Sequence, residues 1–466
     1  MAMTLTEKIL ARASGSATVS VGQTVLVNVD VLMTHDVCGP GAIGVFYKEF
    51  SKSARVWDPD RVVIIPDHYI FTADEKSNRN VDTLREFANA QGIKYFYDVI
   101  DDAKGKWRFD PSGGPLQCRH GGRFAGVCHV ALAENGHTRP GEVLVGTDSH
   151  TCTAGAFGEF ATGIGNTDAA FVLGTGKILL RVPETMRFML VGSLQPGVMA
   201  KDVILHMIGK IGCDGATYRA MEFAGEGVAT LSMEDRMTIA NMGVEAGAKN
   251  AIFPVDDKTL AYVEKHKLTG AETHYEVLAA DADATCHSEH QVDLSAVVPV
   301  VARHPNPGSV SPVAGCADLK LDRAYIGSCT GGKFSDFEAF AAIVRGRKVA
   351  IETFGVPATP EIYRRLCSET IAGETLWDIM SDAGVQLTVN AGCAACLGGP
   401  GDTFGRMNRP LSCISTTNRN FPGRMGDIKG LVYLASPATV GASAIAGKFA
   451  DPREYLQQPM TARRQQ

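Results

Sequence analysis

The chain has 466 residues, 45% of them hydrophobic and 21% charged, with a formal net charge of −6. That length exceeds one ordinary core and predicts two to four domains of a soluble globular protein. The acidic balance argues against a nucleic-acid-binding surface, and no apolar run reaches the ~18 residues that a membrane span needs, so neither nucleic acid nor membrane is an expected partner.

The opening segment, MAMTLTEKILARASG, reads as a short amphipathic helix. It has no long apolar core and no small-residue cleavage site, so it is not read as a signal peptide. A reducing cytoplasmic setting is therefore expected, and with it free thiols rather than disulfides among the 12 cysteines. Cys38, Cys118, Cys128, Cys152, Cys213, Cys286, Cys316 and Cys367 read as buried packing residues. GPGAIG, residues 39–44, formally fits a dinucleotide-binding glycine pattern, but Pro40 interrupts it and a lone match is weak.

Farther on, RVVIIPDH, IKYFYDV and EVLVGTDSHT read as strands, two of them ending at Asp67-His68 and at Asp148-Ser149-His150. MRFMLVGSLQPGVMAKDVILHMIGKIG opens a second unit of strand, turn and amphipathic helix. SMEDRMTIANMGVEAGA predicts a helix capped by Ser232 with Asp235, placing Asn241 and Glu245 on one face. Residues 302–320, rich in Pro, Gly and Ser, read as an inter-domain linker. LDRAYIGSCT and VQLTVNAGCAAC are strands ending in cysteines, and Ser335 with Glu338 predicts a capping box for the helix after the first. Parallel α/β sheets bind ligands beyond the carboxyl ends of their strands, so strand ends carrying Asp, His and Cys form a site-like pattern.

YIGSCTGGKF, residues 325–334, admits two readings. Gly327, Gly332 and Lys333 match most of a phosphate-binding loop, but Phe334 stands where Ser or Thr would ligate magnesium. Alternatively Cys329 joins Cys393 and Cys396 as metal ligands. Structural zinc usually shows two close cysteine pairs, and a redox C-x-x-C opens a small βαβ unit. An iron–sulfur cluster needs thiolates on glycine-rich turns, which these are. Three thiolates would leave one iron open, unless Cys413 is a fourth ligand, which spacing leaves undecided.

Asp67-His68, GTDSHT, GAFGEFATGIGNTD, NMGVEAGA, GSCT, GCAAC and STTNRNFPGRMG occur in that order, and together they resemble the aconitase superfamily over nearly the whole chain. The likeness is greatest to its branch with separate large and small subunits. The resemblance implies an α/β fold of three domains, 1–183, 184–301 and 302–466, with mostly parallel sheets around a central iron–sulfur cleft. It implies one [4Fe–4S] cluster per subunit on Cys329, Cys393 and Cys396, with Cys413 a packing residue. Asp67, His68, His129, Asp148, His150 and Glu245 are then the acid–base residues. His35, Ser149, Asn241, Arg419 and Arg424 are then substrate-binding. The implied reaction is a reversible dehydration–hydration of a hydroxy acid. 3-Isopropylmalate is expected, with homoaconitate, 2,3-dimethylmalate or a methyl-substituted malate as alternatives. A non-catalytic RNA-binding or iron-sensing role, also known in the superfamily, is disfavoured by the acidic charge. The serine base of single-chain relatives is expected from a small-subunit partner in a hetero-oligomer. Two positions depart from the family pattern: Gly331 stands where many relatives have Asn, and Cys38 where Thr is common.

Overall fold

Short apolar runs become strands covered on both faces. Val31–Thr34, Val143–Gly146 and Arg323–Ile326 are buried at every position, as expected for parallel strands with helices above and below. The computed structural model describes residues 2–98, 124–268, 275–316 and 319–456, so Cys118 and Val99 lie outside the described residues.

The first sheet has five parallel strands in the order Tyr95–Phe96, Val62–Ile64, Val31–Thr34, Val143–Gly146 and Phe160–Gly163. The second has four, all parallel: Asn250–Ile252, Ala220–Ala224, Thr185–Val191 and Ser288–Asp293. The third has seven, in the order Val310–Pro312, Val300–Ala302, Leu431–Ala435, Ser412–Ser415, Arg323–Ile326, Glu352–Gly355 and Gln386–Leu387. Its last five run parallel, and Val300–Ala302 is antiparallel to both neighbours. The fold is therefore α/β with mostly parallel sheets. Among the described residues no helix is long and apolar enough to cross a membrane.

Local capping follows the sequence at two helices. Thr4 and Glu7 form a reciprocal box at Leu5–Ser14, and Ser232 with Asp235 caps Met233–Asn241.

Four expectations need correction. Residues 302–320 are not a plain linker: Val300–Ala302 pairs antiparallel with Val310–Pro312. The valines favour strand, and Pro312 is tolerated because its strand is at the sheet edge. The helix Phe334–Val344 is not boxed by Ser335 and Glu338. Asp336 accepts from the Lys333 N–H at 3.0 Å, while Ser335 is held by Glu234 of the preceding unit. Asn241 and Glu245 do not share one α-helix, because the helix ends at Asn241 and a 3₁₀ turn, Met242–Ala246, carries Glu245. Of the cysteines expected to be buried, Cys128, Cys152 and Cys316 are, whereas Cys38, Cys213 and Cys286 are half-buried and Cys367 is exposed.

Candidate active site

The site grows from the carboxyl ends of parallel strands in the first and third sheets. His35 and Asp36 follow Val31–Thr34, Asp67 and His68 follow Val62–Ile64, and Asp148 follows Val143–Gly146. Cys329 follows Arg323–Ile326, and Asn418 with Arg419 follows Ser412–Ser415. The second sheet's unit adds Asn241 and Glu245.

The first-sheet side is a wall of imidazoles and carboxylates. Asp67 Oδ1 lies 2.6 Å from His68 Nδ1, and its Oδ2 accepts the Cys128 N–H at 2.8 Å. Asp36, fully buried, accepts the backbone N–H groups of Asp67, His68 and Tyr69 and so fixes that turn. Asp148 Oδ1 takes His129 Nε2 at 3.0 Å and His150 Nδ1 at 3.3 Å, and the Ser149 hydroxyl lies 3.4 Å from His150 Nδ1. His150 Nε2 reaches Glu245 Oε1 at 2.8 Å, and the same oxygen takes Arg419 Nε at 2.8 Å. His35 packs its ring 4.9 Å from that of His68, and its Nε2 is 3.6 Å from Asp148 Oδ2.

Electrostatics polarise this wall. Burial favours a neutral Asp148, but its hydrogen bonds and ion pairs with His129 and His150 hold it well below the usual carboxylate range. Burial and the Arg419 charge would lower His150, yet its hydrogen bonds to Asp148 and Glu245 raise it to about 9. His68 is raised too, the negative charge of Asp67 outweighing burial.

The third-sheet side is a wall of sulfur. Cys329, Cys393 and Cys396 are all buried. The Cys393 thiol is within hydrogen-bonding reach of both others, and this lowers Cys329 to about 6 and Cys396 well below an ordinary thiol. Donors converge on the sulfurs: Asn241 Nδ2 and Asn418 Nδ2 on Cys329 at 3.1 and 3.3 Å, and Arg424 Nη2 on Cys396 at 3.4 Å. Side chains that donate to sulfur favour thiolate, the form a metal cluster requires. The Cys393 N–H donates to Asp67 O at 2.9 Å and joins the two walls. Cys413 lies in the strand Ser412–Ser415, where burial pushes its thiol up to about 12 and its sulfur donates to Ile414 O. The residues thus fit a three-cysteine cluster without it.

The phosphate-loop reading fails on geometry. Lys333 is 1% exposed, and its Nζ is committed to Thr238, to Cys329 O and, at 2.7 Å, to Asp336. GPGAIG likewise lies within the helix Gly39–Glu49 rather than in a loop. The glycine at 331 also has a structural cause: a Cβ there would come within 2.1 Å of the Thr416 side chain. Thr416 fills the space that an Asn at 331 would need.

Every residue that the family resemblance assigns to the site belongs to this connected set. Sequence reasoning missed Asp36 and Asn418. Each had a visible signal, a carboxylate beside His35 and an amide beside Arg419. Three buried polar atoms facing the site have no hydrogen-bond partner among the described residues: His35 Nε2, His129 Nδ1 and Arg424 Nε. A buried polar atom left unpaired is costly, so these three leave the site with unmet hydrogen-bonding capacity.

Known proteins resemble this chain in sequence over nearly its whole length. The large subunit of the chloroplastic 3-isopropylmalate dehydratase of Arabidopsis thaliana is 54% identical, over 98% of this chain and 87% of that one. A 3-isopropylmalate dehydratase large subunit of Methanopyrus kandleri is 42% identical, over 98% of this chain and 100% of its own. A probable 3-isopropylmalate dehydratase large subunit of Methanothermobacter thermautotrophicus is 43% identical, over 97% and 99%. The profile of the aconitase family (aconitate hydratase) matches residues 7–320 and 314–447, and the chain belongs to that family.

Proposed function

We propose that this chain is the large subunit of a 3-isopropylmalate dehydratase, a hydro-lyase of leucine biosynthesis. Such an enzyme removes water from a hydroxy dicarboxylic acid and returns it at the neighbouring carbon. The observation that carries this reading is the facing of two walls: three clustered thiols, two of them under amide and guanidinium donors, and imidazoles paired with ionised carboxylates. The names of the near-full-length relatives support the substrate.

Cys329, Cys393 and Cys396 would hold one [4Fe–4S] cluster per subunit, which when bound supplies a Lewis acid for a substrate hydroxyl and carboxylate. His129 and His150, both anchored on Asp148, are placed to pass a proton to a departing hydroxyl. Asp67 fixes the tautomer and raises the basicity of His68, and Glu245 does the same for His150 from the far side. Arg419 gives its Nε to Glu245, and its planar fork matches a carboxylate, as does that of Arg424. His35, Ser149 and Asn241 line the same space. Beside Ser149 a cavity of about 510 Å³ is bordered by Cys38, Cys152, Ile164, Val244 and Ala248 on one part and by Thr147, Thr162, Asn166 and Lys249 on another. Its apolar part would suit a branched alkyl substituent such as that of 3-isopropylmalate.

The relatives are named as large subunits, and a small subunit of the same family is the assigned partner. It completes a hetero-oligomer and supplies the base that takes the carbon-bound proton. The cytoplasm is the assigned compartment, in keeping with free thiols at every described cysteine. The test is anaerobic co-production with that small subunit, followed by ultraviolet detection of alkene across 3-isopropylmalate, homoaconitate and 2,3-dimethylmalate. The pair should turn over 3-isopropylmalate with the highest kcat/KM. The chain alone should be slower by ~10²–10⁴, the usual cost of a missing positioned base. Full-rate turnover by the chain alone, or preference for another acid, overturns the reading.

A further inference from the structure

Lys201, on the helix Ala200–Ile211, is 1% exposed, yet none of the described carboxylates forms an ion pair with it. Its Nζ instead reaches across from the second sheet's unit into the third. It donates to Thr330 Oγ1 at 2.9 Å, to Thr416 O at 2.7 Å and to Thr417 O at 2.7 Å. Thr330 is the residue after Cys329. Thr416 and Thr417 lead directly into Asn418 and Arg419. One ammonium therefore ties the turn carrying a cluster cysteine to the loop carrying an amide donor and a guanidinium of the site.

The hydrogen-bond balance fixes its charge. The two carbonyls can only accept, and Thr330 already gives its hydroxyl proton to Thr416 O at 2.8 Å. Three acceptors need three N–H donors, which only the protonated amine has. Burial, joined by the charge of Lys333, lowers Lys201 to about 7 even though the charges of Cys329, Asp336 and Cys396 act to raise it; the three filled acceptors decide for the charged form. A buried cation without a carboxylate needs another counter-charge. The neighbouring Lys333 has Asp336 at 2.7 Å. Lys201 has the sulfur wall, which is anionic when three thiolates enclose an iron–sulfur core.

We propose that Lys201 is a positioning residue for the cluster, a buried counter-cation that pins the Cys329 turn to the Asn418–Arg419 loop and makes the bound cluster easier to reduce. This rests on the three-cysteine cluster reading above. Net charge around a cluster is one of the determinants of its potential, and a fixed positive charge favours the added electron.

The test uses the chain co-produced anaerobically with its small subunit, as wild type, Lys201→Met, Lys201→Arg and Thr330→Val. Two quantities are read: the rate of iron loss to a chelator, and the cluster midpoint potential by a mediated titration followed by electron paramagnetic resonance. Lys201→Met should lose iron roughly 10- to 100-fold faster, the usual effect of removing an outer-shell partner. It should also be reduced at a more negative potential, with a roughly tenfold lower reduced-to-oxidised ratio at the wild-type midpoint. Lys201→Arg should restore the potential. Thr330→Val, which keeps the charge and removes one anchor, should speed iron loss and leave the potential unmoved. A wild-type midpoint in Lys201→Met overturns the counter-charge, because a purely structural lysine would change only iron retention. If Lys201→Met fails to fold, an unchanged rate of iron loss in Thr330→Val overturns the tether. Wild-type protein without equimolar iron and sulfide would instead sink the cluster reading itself, and this proposal with it.

Discussion

On the first-sheet wall of the cleft every carboxylate already has its partner, whereas on the third-sheet wall the donors point at sulfur. Asp36, Asp67, Asp148 and Glu245 each accept from named N–H groups, and three of them hold an imidazole. Cys329 and Cys396 accept from Asn241, Asn418 and Arg424, while Arg424 keeps an unpaired Nε. The carboxylates of the first wall are satisfied by folding alone, and among the described residues only ring nitrogens of His35 and His129 on that wall are left without a partner. The second gathers positive charge and N–H donors around thiols that, on the proposed cluster reading, would gain their full counterpart when iron is bound. Pre-organisation is therefore uneven: proton-transfer groups are built in by folding, and the Lewis-acid side is completed by loading.

The sharpest way to break this contrast is to remove the sulfurs one at a time. Cys329→Ser, Cys393→Ser or Cys396→Ser should each abolish the broad absorption near ~400 nm of thiolate-bound iron–sulfur and all turnover. Cys413→Ser should keep both, since that thiol sits in a strand away from the donors. Loss of the band in Cys413→Ser would mean that the site has four ligands and no open iron.

Next comes the first wall. Asp148→Asn removes the charge that holds two imidazoles at once. It should lower kcat/KM by ~10²–10⁴, the range for a displaced general acid–base group, with iron and sulfide content unchanged. Iron loss in this variant would show that the two walls are not independent.

How far the sequence revealed this arrangement follows from where each partner lies. Asp67-His68 and Asp148-Ser149-His150 were legible because carboxylate and imidazole are chain neighbours at the end of an apolar run. The pairing of Arg419 with Glu245, and the convergence of Asn241 and Asn418 on Cys329, join residues far apart in sequence, and no local pattern encodes them. Lys333 left a second reading to be weighed, because spacing alone cannot tell a lysine aimed at phosphate from one buried against Asp336. Residues 302–320 misled because Pro, Gly and Ser mark the turn between Val300–Ala302 and Val310–Pro312, but the strands flanking it are short, and the first of them also pairs with a distant segment, Leu431–Ala435.

The arginines sharpen the comparison at the seam of the walls. Arg424 is 8% exposed and touches Cys396, whereas Arg419 is bonded to Glu245 with 23% of its side chain open. Both Arg→Lys changes should cost roughly 30- to 1000-fold in kcat/KM, since an ammonium lacks the fork. Only Arg424→Lys should also speed iron loss. Near wild-type turnover in either variant would remove that arginine from the substrate site.

The smallest expected effect is on the stability of iron-free protein, and it separates the walls by sign. His150 is raised from 6.5 to about 9 in the fold. Its contribution is fully present below pH 6.5 and is lost as pH rises through about 9, because the folded state holds a proton that the unfolded chain has released. Cys329 runs the other way, lowered from 9.0 to about 6. Its contribution is present above pH 9 and is lost as pH falls through about 6. Between pH 6.5 and 9 the two slopes oppose one another. Chelator-stripped His150→Gln, compared with stripped wild type by urea unfolding, should therefore gain relative stability as pH rises, by at most about 3 kcal/mol over that window. Stripped Cys329→Ala should lose relative stability over the same window. Two difference curves that slope the same way would mean that the walls do not carry opposite charge, and the division between a proton-holding side and a thiolate side would fall.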